Sequence, residues 1–355
     1  MWINSVFVVT GILLLWVAQV IAKHKHLIVL SHGMMGTFTD LNYLENLLLL
    51  PSASSDDIKV FKSAKNKQSN SLKGVQIGGE QLASEIIDLL NNEDGLAIET
   101  ISFVGNSLGG IYARYAISLL HDFKTNLFIN NIKPLAFVTI ASPHLGVNHG
   151  QNYVEGDLQF YVPNAIKYLI SLLFSMTGQD MFMLDRANIK DSILYKLATE
   201  KKFLIPLKLF KYRRLYANLQ NDLLVTLSTA SFIATDNAGE LRKRYKDSHG
   251  IVTKLYTTGN DKSPTECSDV SDASTVMSNM RKSLDNLGWT KVIVNFKNGK
   301  LFQIFPLAHN KIAALTKYPL YFWNMFNFYE GKFVMEDLAE FLQQNIIDFK
   351  TQKKS

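Results

Sequence analysis

The pentapeptide Gly105-Asn106-Ser107-Leu108-Gly109 stands between the apolar run Ile101-Ser102-Phe103-Val104 and a stretch in which Ile111, Tyr115 and Leu119 recur at helical spacing. A serine at such a strand-to-helix junction is demanding. The strand must end, the chain must turn within a few residues, and the helix must pack back against the sheet, so the serine's neighbours have to be small. A strand followed at once by a packed helix is the unit of a parallel sheet covered by helices.

The rest of the chain keeps this rhythm. Leu27–Ser31, Ile58–Phe61, Thr100–Val104, Leu135–Ala141 and Arg214–Asn218 read as short buried strands, and Gln76–Leu90 carries Leu82, Ile86 and Leu89 on one helical face. Right-handed crossovers then give an α/β fold, with a mostly parallel central sheet and helices on both faces. At 355 residues, 47% of them hydrophobic, there is ample core, and no Pro/Gly/Ser-rich linker divides it. Residues 27–350 read as one domain.

Composition excludes several chemistries. The only cysteine, Cys267, rules out a disulfide framework and any thiolate-held cluster or zinc module. No pair of residues has the spacing of a metal-binding motif such as H-E-x-x-H, so neither metal nor cofactor is expected. A net charge of +6 without a recognition motif gives no reason to expect nucleic acid.

Ser107 can act only with a base, a carboxylate and donors for the oxyanion. The junction places the N–H of Leu108 at the start of a helix, where the dipole end favours negative charge. A second donor is expected from the loop His32-Gly33-Met34-Met35-Gly36 after the first strand, where Gly33 lets the backbone come close and Met34 supplies the N–H. Met35 is the fallback. His32, Gly33, Gly105 and Gly109 support these loops. In folds of this kind the chain order is serine, acid, histidine. Of eight histidines, His24 and His26 flank the N-terminal segment, and His32 lies in the donor loop. His121 ends a helix, His144 and His149 precede any acid in the required order, and His249 lies in a polar stretch. His309, in a loop after an expected strand Leu301–Phe305, is the base. Asp222, shortly past the strand Arg214–Asn218, is the acid, with Asp236 and Asp261 as rivals.

Taken together these motifs resemble the eukaryotic putative serine esterases, lipase-like α/β hydrolases that include fungal lipid-droplet phospholipases and monoacylglycerol lipases. The matching residues are Val29-Leu30-Ser31-His32-Gly33, Gly79-Glu80 with Leu82-Ala83 and Glu85, Phe103–Gly110, Ala141-Ser142-Pro143-His144-Leu145-Gly146, Tyr216-Ala217-Asn218 before Asp222, and Ala308-His309-Asn310. They run over roughly residues 27–350. The resemblance implies an α/β-hydrolase fold, a Ser107–Asp222–His309 triad and lipid esters as substrates. After Asp222 this chain reads Leu223-Leu224-Val225-Thr226, with Thr where the resemblance would place Pro.

Two apolar stretches point to lipid independently. Ala165–Met176, with Lys167 its only charge, lies where such folds carry a lid, expected at about residues 155–205, and suits a lid or acyl-pocket wall, though a buried core helix would read the same way. Tyr318–Tyr329 has the aromatic density of a bilayer interface, though packing against a helix would use it equally well. Residues 1–26 stand apart. Trp2–Ala22 is uncharged and long enough, as a helix, for the ~30 Å hydrocarbon core. Lys23 and Lys25 flank its C-terminal end, which suits an anchor with a cytosolic catalytic domain at the endoplasmic reticulum or a lipid droplet. Ala22 equally suits a cleaved signal peptide and a lumenal or secreted product. The expected partners are a lipid ester and a membrane or droplet surface; nothing in the sequence identifies a protein partner. The same triad would serve an acyltransferase, and a silent scaffold that binds a protein is the remaining alternative.

Overall fold

The computed structural model describes residues 26–51, 57–92, 98–147, 153–155, 158–160, 172–222, 225–257, 273–296, 308–315 and 328–354. Seven strands form the central sheet: β1 His26–Ser31, β2 Ile58–Lys62, β3 Thr100–Asn106, β4 Lys133–Ile140, β5 Tyr212–Asn218, β6 Gly250–Tyr256 and β7 Thr290–Asn295. Their spatial order is β6-β7-β5-β4-β3-β1-β2. All neighbours pair in parallel except β6 with β7, which are antiparallel.

The central strands are buried on both faces, as their unbroken apolar runs require. Alternate residues feed two cores. Leu27, Val29, Phe103 and Phe137 pack with α1 (Val75–Asn91) and α2 (Leu108–Leu119), through Leu82, Ile86, Ile111 and Tyr115. Ile28, Leu30, Val104 and Val138 face the opposite core, where Leu44, Leu48, Val334, Leu338 and Leu342 cover them. One helix, Lys332–Lys354, supplies the last three.

The edge departs from the expectation. Thr290–Asn295 and Gly250–Tyr256 add two strands to those expected, and the second runs antiparallel and half-exposed. Its alternation is blurred by Thr253 and Lys254, and a bulge shifts the register between Ile251 and Thr253. The strand expected at Leu301–Phe305 lies outside the described residues, as do Trp2–Ala22, most of Tyr318–Tyr329 and Ala165–Ser171. Among the described residues no helix is long and apolar enough to cross a membrane.

The register aligns the strand ends. Ser31 pairs with Gly105, Asn106 with Ile140, Ile140 with Tyr216, and Asn218 with Val294. The loops leaving β1, β3, β4 and β5 therefore emerge along one rim, where open α/β sheets hold their ligands.

Candidate active site

Ser107 caps α2 at φ 53°, ψ −125°. A non-glycine residue at positive φ costs of order 1–3 kcal/mol and persists only where its surroundings hold it. Here the Ser107 N–H donates to Ile140 O (2.7 Å) and its carbonyl accepts from Gly110 N–H (3.1 Å), which fixes the turn from both sides. The small flanking residues are steric necessities. A Cβ on Gly105 would lie 2.3 Å from Gly110 Cα, and one on Gly109 would lie 2.2 Å from Ser31 O.

The histidine and the acid meet this serine although 202 and 115 positions of chain separate the outer members from it. Ser107 Oγ–H donates to His309 Nε2 (2.9 Å), and His309 Nδ1–H donates to Asp222 Oδ2 (2.9 Å). Those roles fix the tautomer: proton on Nδ1, lone pair on Nε2. Asp222 is fully buried, and His309 is nearly so. The carboxylate is held by more than histidine. Asn218 Nδ2 donates to Oδ2 (2.8 Å), and the Val225 N–H donates to Oδ1 (2.8 Å). Thr226, where the resemblance would place Pro, instead caps the next helix by accepting from the Thr229 N–H (3.4 Å).

The donor loop forms a tight turn closed by Gly36 N–H to Gly33 O (3.1 Å), with Met35 at φ 54° in its third position. Positive φ at that position is the mark of a type II turn, which ordinarily takes glycine or asparagine there. The Met35 N–H is committed to Ser71 Oγ (2.8 Å), so it is not a donor for substrate. Among the described residues the Met34 N–H has no acceptor. Leu108 begins α2, so its N–H has no carbonyl acceptor within the helix. His32 is buried, and its Nδ1–H donates to Gly33 O (3.0 Å), within the turn it supports.

The other described histidines stand apart from this chain of bonds. His144 is fully buried, accepts at Nδ1 from Arg114 (3.3 Å), and donates from Nε2 to Thr139 Oγ1 (3.0 Å). Burial, aided by the Arg114 charge, holds it well below the usual imidazole range, hence neutral. His121 contacts Asn126, and His249 approaches Glu330. Asp236 opens a surface helix, and Asp261 lies outside the described residues. Among the described residues no three His, Cys, Asp or Glu side chains group to hold a metal ion.

Two contributors were not read from the sequence. Asn218 was quoted only as part of a motif, yet it is the carboxylate's second side-chain donor; a polar residue four before an acid at a strand end was the available signal. Ser71 carries no local signal at all, because its contact with Met35 spans 36 positions.

The family model described as "Putative serine esterase (DUF676)" matches residues 22–235. The chain belongs to this family. The match includes Ser107 and Asp222 and ends before His309. Among curated relatives, the Saccharomyces cerevisiae "Putative lipase ROG1" is 34% identical over 217 residues, 60% of this chain and 29% of that protein. "Putative lipase C4A8.10" of Schizosaccharomyces pombe is 29% identical over 216 residues, 59% of this chain and 26% of that protein. The chain thus matches about a third or less of those relatives' lengths. Among solved structures, a lipase-esterase related protein from Clostridium acetobutylicum aligns with 82% of this chain and 93% of its own at 12% identity and a TM-score of 0.33, a likeness too slight to carry weight.

Proposed function

We propose that this serine esterase family member hydrolyses fatty-acyl esters of membrane or storage lipids, such as a phospholipid, lysophospholipid or monoacylglycerol, through an acyl-enzyme. The observation that carries the reading is the unbroken bond sequence Ser107–His309–Asp222, with both contacts at 2.9 Å. Ser107 Oγ attacks the ester carbonyl while His309 Nε2 takes its proton, and Asp222 steadies the imidazolium without itself being protonated. The oxyanion is received by the N–H groups of Met34 and Leu108. His309 then gives its proton to the departing alcohol oxygen, and water, deprotonated by the same nitrogen, releases the fatty acid.

Apolar residues exposed near this rim suit a lipid substrate. Met35 lies in the donor turn and Phe38 just after it, and Leu172, Leu173 and Met176 lie in the segment read as a lid; Leu173 is 72% exposed. Met176 packs against the Gly74 position. The basic residues Lys208, Lys211, Arg213 and Arg214 are not all available to attract lipid. Arg213 turns its guanidinium onto the carbonyls of Lys208, Phe210 and Gly288, and Arg214 is buried against Asp337 and the Phe341 ring. Placement at the endoplasmic reticulum or a lipid droplet rests on Trp2–Ala22 and its basic flank.

The test is a lipid panel hydrolysed by the purified chain beside Ser107→Ala, with fluorophosphonate labelling of Ser107. Release of fatty acid that the variant lacks supports the reading. Acyl transfer to an added alcohol in preference to water would make the chain an acyltransferase, and an unlabelled serine with no turnover would leave a silent scaffold. Removing residues 2–22 should lower membrane recovery while sparing cleavage of a soluble short-chain ester.

A further inference from the structure

Ser71 joins three parts of the molecule that the sequence keeps far apart. Its hydroxyl accepts from the Met35 N–H (2.8 Å) and donates to Gln68 O (2.6 Å). Its carbonyl accepts from Tyr112 Oη–H (2.6 Å), on the helix that begins at the nucleophile, and from Thr177 Oγ1–H (2.7 Å), in the segment read as a lid. Thr177 Oγ1 in turn accepts from the Gly74 N–H (3.0 Å). Ser71, Tyr112 and Thr177 are all fully buried.

The consequence falls on the donor turn. Its ends are clamped by Gly36 N–H to Gly33 O, and Gly36 O accepts from the Gln68 N–H (2.8 Å). Within it, the peptide joining Met34 to Met35 could lie either way up, and a methionine at that corner resists positive φ. The Ser71 hydroxyl selects one orientation by holding the Met35 N–H, which also sets the preceding peptide, the one bearing the Met34 N–H. We propose that Ser71 is a positioning residue for the oxyanion donor, itself located by Tyr112 and Thr177, so that the placement of the lid segment and the readiness of the donor are linked. This rests on the reading of Ser107 as nucleophile.

Kinetics on a soluble ester such as p-nitrophenyl butyrate test it in the full chain. Ser71→Ala should lower kcat about tenfold, less than the loss from deleting an oxyanion donor outright, with KM changed by no more than about twofold. Adding Met35→Gly to Ser71→Ala should recover much of that loss, because glycine takes positive φ without needing the hydroxyl to hold it. Ser71→Cys, a similar-sized side chain with a weak acceptor, should fall between serine and alanine, and it carries the test if alanine prevents folding. A folded Ser71→Ala or Ser71→Cys chain with wild-type kcat overturns the proposal, as does a loss that Met35→Gly leaves untouched. If Ser107→Ala itself retains activity, the reading of the nucleophile has failed rather than the role of Ser71.

Discussion

A Cβ placed on Gly33 would lie 2.9 Å from Cβ of Ser107, closer than real side chains tolerate. The donor turn is therefore in van der Waals contact with the proposed nucleophile, and glycine is what permits the approach. Gly33→Ala must push the turn away from Ser107 by a few tenths of an ångström. Its Cβ would also meet Asn106 O, a backbone atom, at 3.4 Å. Because oxyanion donors act through distance, kcat should fall by about tenfold to a hundredfold while the chain remains folded. Stopped assays of kcat beside a melting curve check this, and wild-type turnover in Gly33→Ala would show that the turn does not serve the reaction.

The carboxylate's surroundings give the second expectation. Asp222→Asn keeps the shape but cannot accept from Nδ1–H in the same way, and the amide can offer its own N–H and favour the wrong tautomer. A loss of about 10³–10⁴ in kcat is expected, on the scale found where triad carboxylates are replaced by amides. Asn218→Ala removes one of several bonds to Asp222 and should cost far less, about fivefold to thirtyfold, from a charge-assisted bond of roughly 1–2 kcal/mol. Equal losses in the two variants would mean that Asn218, not the charge of Asp222, orients the histidine.

How much of this was legible in advance follows from physical range. The elbow is local: strand, Gly105, Ser107, Gly109 and helix lie within a few positions, so the strand-to-helix setting of Ser107 and the α/β fold could be read directly. Asp222 and His309 were reachable because the topology dictates the order in which strand ends deliver their loops to one rim, and the structure brings both within hydrogen-bond reach. Thr290–Asn295 is harder to read because Lys291 breaks its apolar run, and only the fold buries that lysine beside Asp285 (2.7 Å). Ser71 was beyond reach. A buried hydroxyl that matters through one long-range contact leaves no periodicity, charge or spacing behind.

Asp180 offers a pH test away from the reacting atoms. It is buried, accepts from the Val75 N–H at the start of α1 (2.6 Å), and burial, outweighing that bond, pushes its carboxyl up from the ordinary value to about 7. A carboxyl whose folded-state pKa is raised contributes most stability at low pH and loses it as pH rises through the folded value. The chain should thus lose stability between about pH 4 and pH 7, and Asp180→Asn should abolish that part of the slope. The melting temperature of Asp180→Asn relative to wild type should climb between pH 5 and pH 8 by about 2 °C or more. Parallel melting-temperature curves across that range would show that Asp180 does not titrate there.

The last expectation separates the two methionines of the donor turn. Met35 gives its N–H to Ser71, whereas the Met34 N–H has no acceptor among the described residues and is the one proposed for the oxyanion. Met34→Leu preserves size and backbone and should keep most activity. Met34→Pro deletes the N–H while fixing φ near the value that the second position of a type II turn prefers, so the turn itself can survive. Losing a donor outright should cost about 10²–10³ in kcat. Circular dichroism and a melting curve establish that the variant is folded, and fluorophosphonate labelling should slow in proportion to turnover, since phosphonylation develops charge on the same oxygen. A folded Met34→Pro chain with near-normal kcat and labelling would remove Met34 from the oxyanion site. With Met35 already bonded to Ser71, the second donor would then have to come from outside the turn.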